Sequence, residues 1–223
     1  MCFIADPFDP PGYERYGGGH LFVFDLGRFL VQSGYSVSFF TRRNSPEKVP
    51  FDKLGSHCSI YRLEVGPAEE LSPSSVGSYV DEISAVFDEI VGRQGLLFTA
   101  LHSHYWVAGE VARRFCVTHG TRHVHSVLSL GRVKIEAGEP PDSVSSIRDE
   151  CELRVFNAAN ALLTVCPTER TDLERLYPEV DLSRTYIIPY GVDPDVFYLR
   201  PESELDSVRR QALRFPQGPG TAV

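Results

Sequence analysis

The chain has 223 residues, enough for one sizeable α/β domain with a core of its own. Apolar residues make up 42% and charged residues 23%, the ordinary composition of a globular protein. Its 30 acidic and 22 basic side chains give a formal charge of -8, which argues against a broad nucleic-acid or anionic-membrane surface.

Met1–Asp6 has neither a basic leader nor a long apolar segment, so a first strand is predicted over Cys2–Ala5. A loop rich in Pro and Gly follows over Asp6–Gly17, then a helix through His20–Gln32 with Leu21, Phe24, Leu26 and Leu30 on one face and Gly34 to end it. Val37–Thr41 and Cys58–Val65 read as strands. Ser75–Val91 reads as one helix, because Val76, Val80, Ile83, Phe87 and Ile90 recur every three or four residues. Leu96–Leu101 is the next strand, Val107–Val117 a helix and Arg122–Val127 a strand. A loop over Leu130–Ser145, a helix over Ile147–Asn160 and a strand over Ala161–Val165 follow. Pro167 can start the helix over Thr168–Tyr177, and Thr185–Ile188 is the last strand. A weak helix near Glu204–Leu213 lies in a polar tail. This alternation predicts an α/β fold, a Rossmann-like parallel sheet flanked by helices.

Cys2, Cys58, Cys116, Cys151 and Cys166 are odd in number and lack C-x-x-C spacing, which fits a reducing cytoplasm better than disulfides or zinc. No apolar run approaches the roughly 20 residues that span a bilayer.

Ligands of open α/β sheets bind outside the carboxyl ends of the strands, and four segments fall near such ends. Gly17-Gly18-Gly19-His20 lies between a strand and a helix, where glycines admit a close ligand and free N–H groups face a phosphate. A flexible turn explains the same glycines equally well, and neither G-x-G-x-x-G nor a P-loop is present. His102 and His104 share a strand face, and His123 and His125 repeat the spacing. No carboxylate or cysteine completes a recognised metal set, so no metal site is assigned and satisfied strand-end histidines are the better reading. Trp106, the single tryptophan, reads as core. Ser126–Lys134 offers hydroxyls and two cations to an anionic or polyhydroxylated ligand, against the plainer reading of a solvated basic loop. Arg148 and Glu152 are an i, i+4 pair of the kind that is ordinarily a surface ion pair.

In this order the segments resemble the amino-terminal domain of family 4 retaining glycosyltransferases, on the branch of sucrose-phosphate synthase and the inositol-phosphate glycosyltransferase of mycothiol synthesis. The resemblance runs from about Gly17 to Pro201 through the GGG loop with LGRFLVQSGYSVSFFTRR, HSHYWVAGEVARR, HSVLSLGRVK, RDECELRVFNAANALLTVCPTERTDL and IIPYGVDPDVFYLRP. It implies a GT-B enzyme, in which two Rossmann-like domains transfer a sugar from a nucleotide-sugar donor such as a UDP-sugar, without a resident cofactor. Gly18 and Gly19 stand at the family's donor-phosphate and acceptor loop. Tyr105, Ser129, Lys134 and Arg148 stand at acceptor positions, for a small sugar or cyclitol. Relatives carry a histidine where this chain has Leu128, often an Asn where it has Leu21, and a lysine near Gly66–Ser72, where it has none.

The resemblance further implies an acceptor-side domain over residues 1–200 and a tail or linker over 201–223, towards a donor-binding domain that follows in relatives. The expected function is the acceptor-binding half of a retaining glycosyltransferase, partnered by a carboxyl-terminal GT-B domain or a second transferase subunit. The alternative is a catalytically degenerate auxiliary protein that binds or activates a partner transferase. No catalytic residue is assigned, because leaving-group stabilisation would come largely from the other half.

Overall fold

The computed structural model describes residues 1–4, 6–9, 18–138, 145–195, 198–199 and 201. The chain divides into two compact units, Met1–Tyr190 and Gly191–Val223. In the second, the Asp195 amide donates to the Asp193 carboxylate in a local turn. The predicted tail helix over Glu204–Leu213 and most of the loop before Gly18 lie outside the described residues.

The first unit is a layered α/β structure. Helix α1 (Gly18–Gln32) precedes β1 (Val37–Arg42), β2 (Phe51–Gly55) and β3 (Cys58–Leu63). β1 runs parallel to β3, and β2 pairs antiparallel on its outer edge. β2 is absent from the sequence reading: its five residues are all exposed, so no buried alternation marks it. The second sheet is wholly parallel, in the order β4 (Ala100–His104), β5 (Arg122–Ser126), β6 (Ala161–Thr164) and β7 (Thr185–Ile187).

Residues 1–4 do not form the regular strand predicted over Cys2–Ala5, and Ala5 lies outside the described residues. They nonetheless tie the two sheets together. The Cys2 amide donates to the Phe40 carbonyl at 3.0 Å, and the His104 amide donates to the Met1 carbonyl at 3.0 Å.

Helices cover the layer. The helix predicted over Ser75–Val91 is two, α2 (Pro73–Gly77) and α3 (Val80–Gln94). Ser72 caps α2 through its hydroxyl, and Ser78–Tyr79 break the run. Helix α4 (Tyr105–His119) begins directly at the end of β4. Helix α5 (Gly131–Glu136) occupies part of the predicted loop over Leu130–Ser145, followed by α6 (Ser145–Ala158) and by α7 (Pro167–Leu176), with Pro167 in its first turn.

The largest core packs Phe40 edge-on to Phe87 at 4.9 Å, with Trp106, Val107, Val111 and Ile83 buried around them. Each such side chain contributes about 1.5–3 kcal/mol by leaving water. Glu110, buried on α4, accepts from Arg113 at 2.7 Å and Arg114 at 2.9 Å, and Arg114 also reaches Asp81 of α3. Among the described residues no helix is long and apolar enough to cross a membrane.

Candidate functional site

The carboxyl ends of β4 and β5 carry a connected polar cluster. Arg148, on α6, is only 9% exposed. Its Nε donates to Glu152 at 2.7 Å, its Nη1 to the Tyr105 hydroxyl at 3.3 Å, and its Nη2 to the Ser129 carbonyl at 3.1 Å and hydroxyl at 3.2 Å. The guanidinium also lies 5.1 Å from the Tyr105 ring centroid. Burial alone would pull its pKa down, but the Glu152 carboxylate outweighs that and holds it above the ordinary value.

The surface ion pair suggested by i, i+4 spacing is therefore a buried one. Glu152 also accepts from the Gly131 amide, at 3.2 and 3.0 Å to its two oxygens, and from the Tyr177 hydroxyl. A side chain at Gly131 would meet Arg148 Nε at 2.9 Å and Glu152 Oε2 at 3.0 Å, so only glycine lets α5 close on the pair. The amino end of α5 is thus capped by a carboxylate of the chain itself.

Among the described residues two non-glycine residues have φ in the left-handed region, Tyr105 (φ 70°) and Leu128 (φ 57°), and both stand at this site. Leu128 is the centre of a γ-turn, in which the Ser129 amide donates to the Val127 carbonyl at 2.7 Å. Its Cδ1 lies 3.8 Å from where a side chain on Gly19 would begin, so the β5–α5 connection meets the amino end of α1 there. Further along α1, Phe22 packs against His104 at 5.7 Å and Tyr190 at 4.6 Å.

Of the residues singled out in the sequence, Tyr105, Ser129 and Arg148 are joined by hydrogen bonds, and Leu128 and Gly19 abut. Gly18 is the first residue of α1. Lys134 sits half-buried on α5, one turn beyond Gly131. The solvated-loop reading of 126–134 fails at Arg132, which pairs with Asp149 at 2.6 Å and lies 4.4 Å over the Tyr177 ring. Tyr177 escaped the sequence reading, because its partners lie 25 and 45 residues away in the chain. At the stretch Gly66–Ser72, without a lysine of its own, the buried Arg42 enters from β1 and donates to the carbonyls of Pro67 and Glu69.

The four histidines divide between the two faces of the sheet. His123 Nε2 and His125 Nδ1 both bond the Ser103 hydroxyl, at 2.7 and 2.8 Å. His102 Nε2 bonds Ser126 Oγ at 2.9 Å on the other face, its ring 4.3 Å from that of His104. Burial holds all four pKa values down, His123 to about 4 and His102 to about 3. Among the described residues no group of three or more His, Cys, Asp or Glu side chains could hold a metal ion.

Residues 17–191 match the family described as glycosyl transferase 4-like domain. A D-inositol 3-phosphate glycosyltransferase of Stackebrandtia nassauensis is 29% identical over 213 residues, covering 94% of this chain and 47% of that protein. The enzyme of the same description from Paenarthrobacter aurescens is 30% identical over 208 residues, covering 88% and 49%. In three dimensions the chain is similar to sucrose-phosphate synthase from Thermosynechococcus elongatus, with a TM-score of 0.80 at 24% identity, covering 96% of this chain and 52% of that one. The chain spans about half the length of the curated relatives it matches. With a parallel α/β layer, a polar cluster at its strand ends and a family match over most of its length, the chain belongs to the glycosyl transferase 4-like domain family.

Proposed function

We propose that this chain is the acceptor-binding half of a retaining glycosyltransferase, which transfers a sugar from a nucleotide-sugar donor once a donor-binding domain faces it, in cis or in trans. The observation that carries the reading is the cluster of Tyr105, Ser129 and Arg148 at the strand ends, beside the Gly19–Leu128 contact. Hydroxyls and a guanidinium on rigid elements suit a polyhydroxylated sugar or cyclitol, and Tyr105 offers it an aromatic wall. Because Glu152 pairs with Arg148, that cation would meet a phosphate-bearing acceptor with its charge already partly offset. Catalysis by such a half is positioning: it holds an acceptor hydroxyl towards the donor, while the second half stabilises the leaving group.

A specific observation favours the alternative as well. Tyr186, Ile187 and Ile188, at the outer end of the parallel sheet, and Tyr190 beyond them are all exposed. That apolar strip suits a partner domain, whether a donor-binding half or an intact transferase to which this chain is an auxiliary.

The deciding experiment supplies UDP-glucose and inositol 3-phosphate to the full chain alone, and then with the carboxyl-terminal half of the Paenarthrobacter relative. The expected result is no turnover alone and glycoside formation in the mixture. Steady turnover by the chain alone would overturn the half-enzyme reading. Silence in the mixture, with stimulation of an intact transferase, would favour the auxiliary role.

A further inference from the structure

We propose that the cleft at the amino ends of β4 and β5 is a second ligand site, and that it takes a free amino acid with an aromatic side chain. It lies at the opposite edge of the sheet from the cluster of Tyr105, Ser129 and Arg148. Helix α4 begins at Tyr105 and ends at His119, so roughly 20 Å of helix separates the two places.

The cleft encloses about 650 Å³, inside the range of roughly 300–1,000 Å³ that holds small organic molecules. Its inner wall is apolar. Val91 of α3 and Phe115 of α4 are buried there, and Leu96 and Phe98, from the connection into β4, are half-buried. The rings of Phe98 and Phe115 meet edge to face at 6.0 Å, and His119 stacks on Phe115 at 4.2 Å. A further aromatic ring would extend this cluster and gain from leaving water. Both helices end at the mouth, α3 at Gly95 (φ 60°) and α4 at Gly120 (φ 69°). A Cβ at either glycine would meet nothing within 4 Å, so two left-handed turns without side chains leave the entrance open.

The rim carries one charge of each sign, Asp88 on α3 and Arg122 at the start of β5. Both are exposed, and among the described residues neither side chain has a hydrogen bond or an ion pair. Partial burial raises the Asp88 pKa, and His119 nearby pulls against it. The carbonyl ends of α3 and α4 add partial negative charge, which with Asp88 suits an ammonium group, whereas Arg122 suits a carboxylate. An anion alone would face the helix ends, and a cation alone would face Arg122. A zwitterion answers both, and the wall behind it takes an aromatic side chain.

The test titrates the full chain, carrying 13C-labelled valine and leucine methyls, with L-phenylalanine, with phenethylamine, which lacks the carboxylate, and with hydrocinnamate, which lacks the ammonium. Dissociation constants are read from the methyl shifts of Val91 and Leu96. L-Phenylalanine should bind roughly three- to fivefold more tightly than either analogue, the scale of an exposed, screened charge pair. Asp88→Asn should remove most of its advantage over hydrocinnamate, and Arg122→Gln most of its advantage over phenethylamine. Both positions are exposed, so each variant should keep the urea midpoint of the parent. Equal affinity for all three compounds, an advantage that survives its substitution, or methyl shifts with none of them would overturn the proposal.

Discussion

Glu152 gathers three donors onto one buried carboxylate: the Arg148 guanidinium, the Gly131 amide and the Tyr177 hydroxyl. Each arrives from a different element, so one side chain sets the relative positions of α5, α6 and the end of α7. In Glu152→Gln the shape is kept and the charge removed, leaving the Arg148 cation buried without its counter-ion. A loss of about 3 kcal/mol in unfolding free energy is expected from urea titration. A loss below about 1 kcal/mol would mean that solvent already screens the pair. The i, i+4 spacing of these residues was legible in the sequence. Their burial was not, because it depends on Gly131 and Tyr177, which reach Glu152 only through the tertiary fold.

Among the elements, α1 and β1 meet through one glycine. A Cβ on Gly27 would lie 2.0 Å from Cζ at the tip of the Phe39 ring, so the helix packs this closely on β1 only because that position has no side chain. Gly27→Ala should therefore cost about 1–3 kcal/mol in thermal or urea unfolding, the usual penalty of overpacking a rigid contact. Adding Phe39→Leu should return part of the loss, giving a coupling energy in the double-mutant cycle that independent sites would lack. The elements themselves were largely legible. The helix now seen at Gly18–Gln32 was placed within a few residues by its apolar face. The break between α2 and α3 was not, since Val76, Val80, Ile83 and Phe87 stay on the core side across it and periodicity passes through unchanged. β2 and α5 escaped for the opposite reason, that neither carries a buried stripe long enough to read.

For the molecule as a whole, the buried histidines make stability depend on pH. His123 and His125 share the Ser103 hydroxyl inside the α4–β5–α6 packing and are held neutral by burial, His123 at about 4 and His125 well below the ordinary value. An unfolded histidine titrates near 6.5. Between that pH and the folded value the unfolded chain carries the extra proton, so stability is full above about pH 7 and falls as the pH drops towards 4. Each such histidine should remove roughly 1.4 kcal/mol by pH 5.5. Urea midpoints at pH 7.5 and 5.5 should differ accordingly, with a shallower slope in His123→Gln. A slope unchanged by that substitution would show that His123 is protonated in the folded state.

Most of the strands and helices, the parallel α/β layer and the likeness to a transferase family lay in the sequence, because periodicity and short motifs are local and survive without neighbours. Gly19, Tyr105, Leu128, Ser129 and Arg148 could be picked out the same way, each at the end of a recognisable segment. What they do to one another was decided only in three dimensions. Arg148 became a buried clamp on Ser129, and Leu128 a strained turn against Gly19. The four strand histidines parted to opposite faces of the sheet. The physical reason is that burial, charge pairing and backbone strain are properties of contacts between residues far apart in the chain, and one-dimensional spacing carries no record of which side chains exclude water from one another.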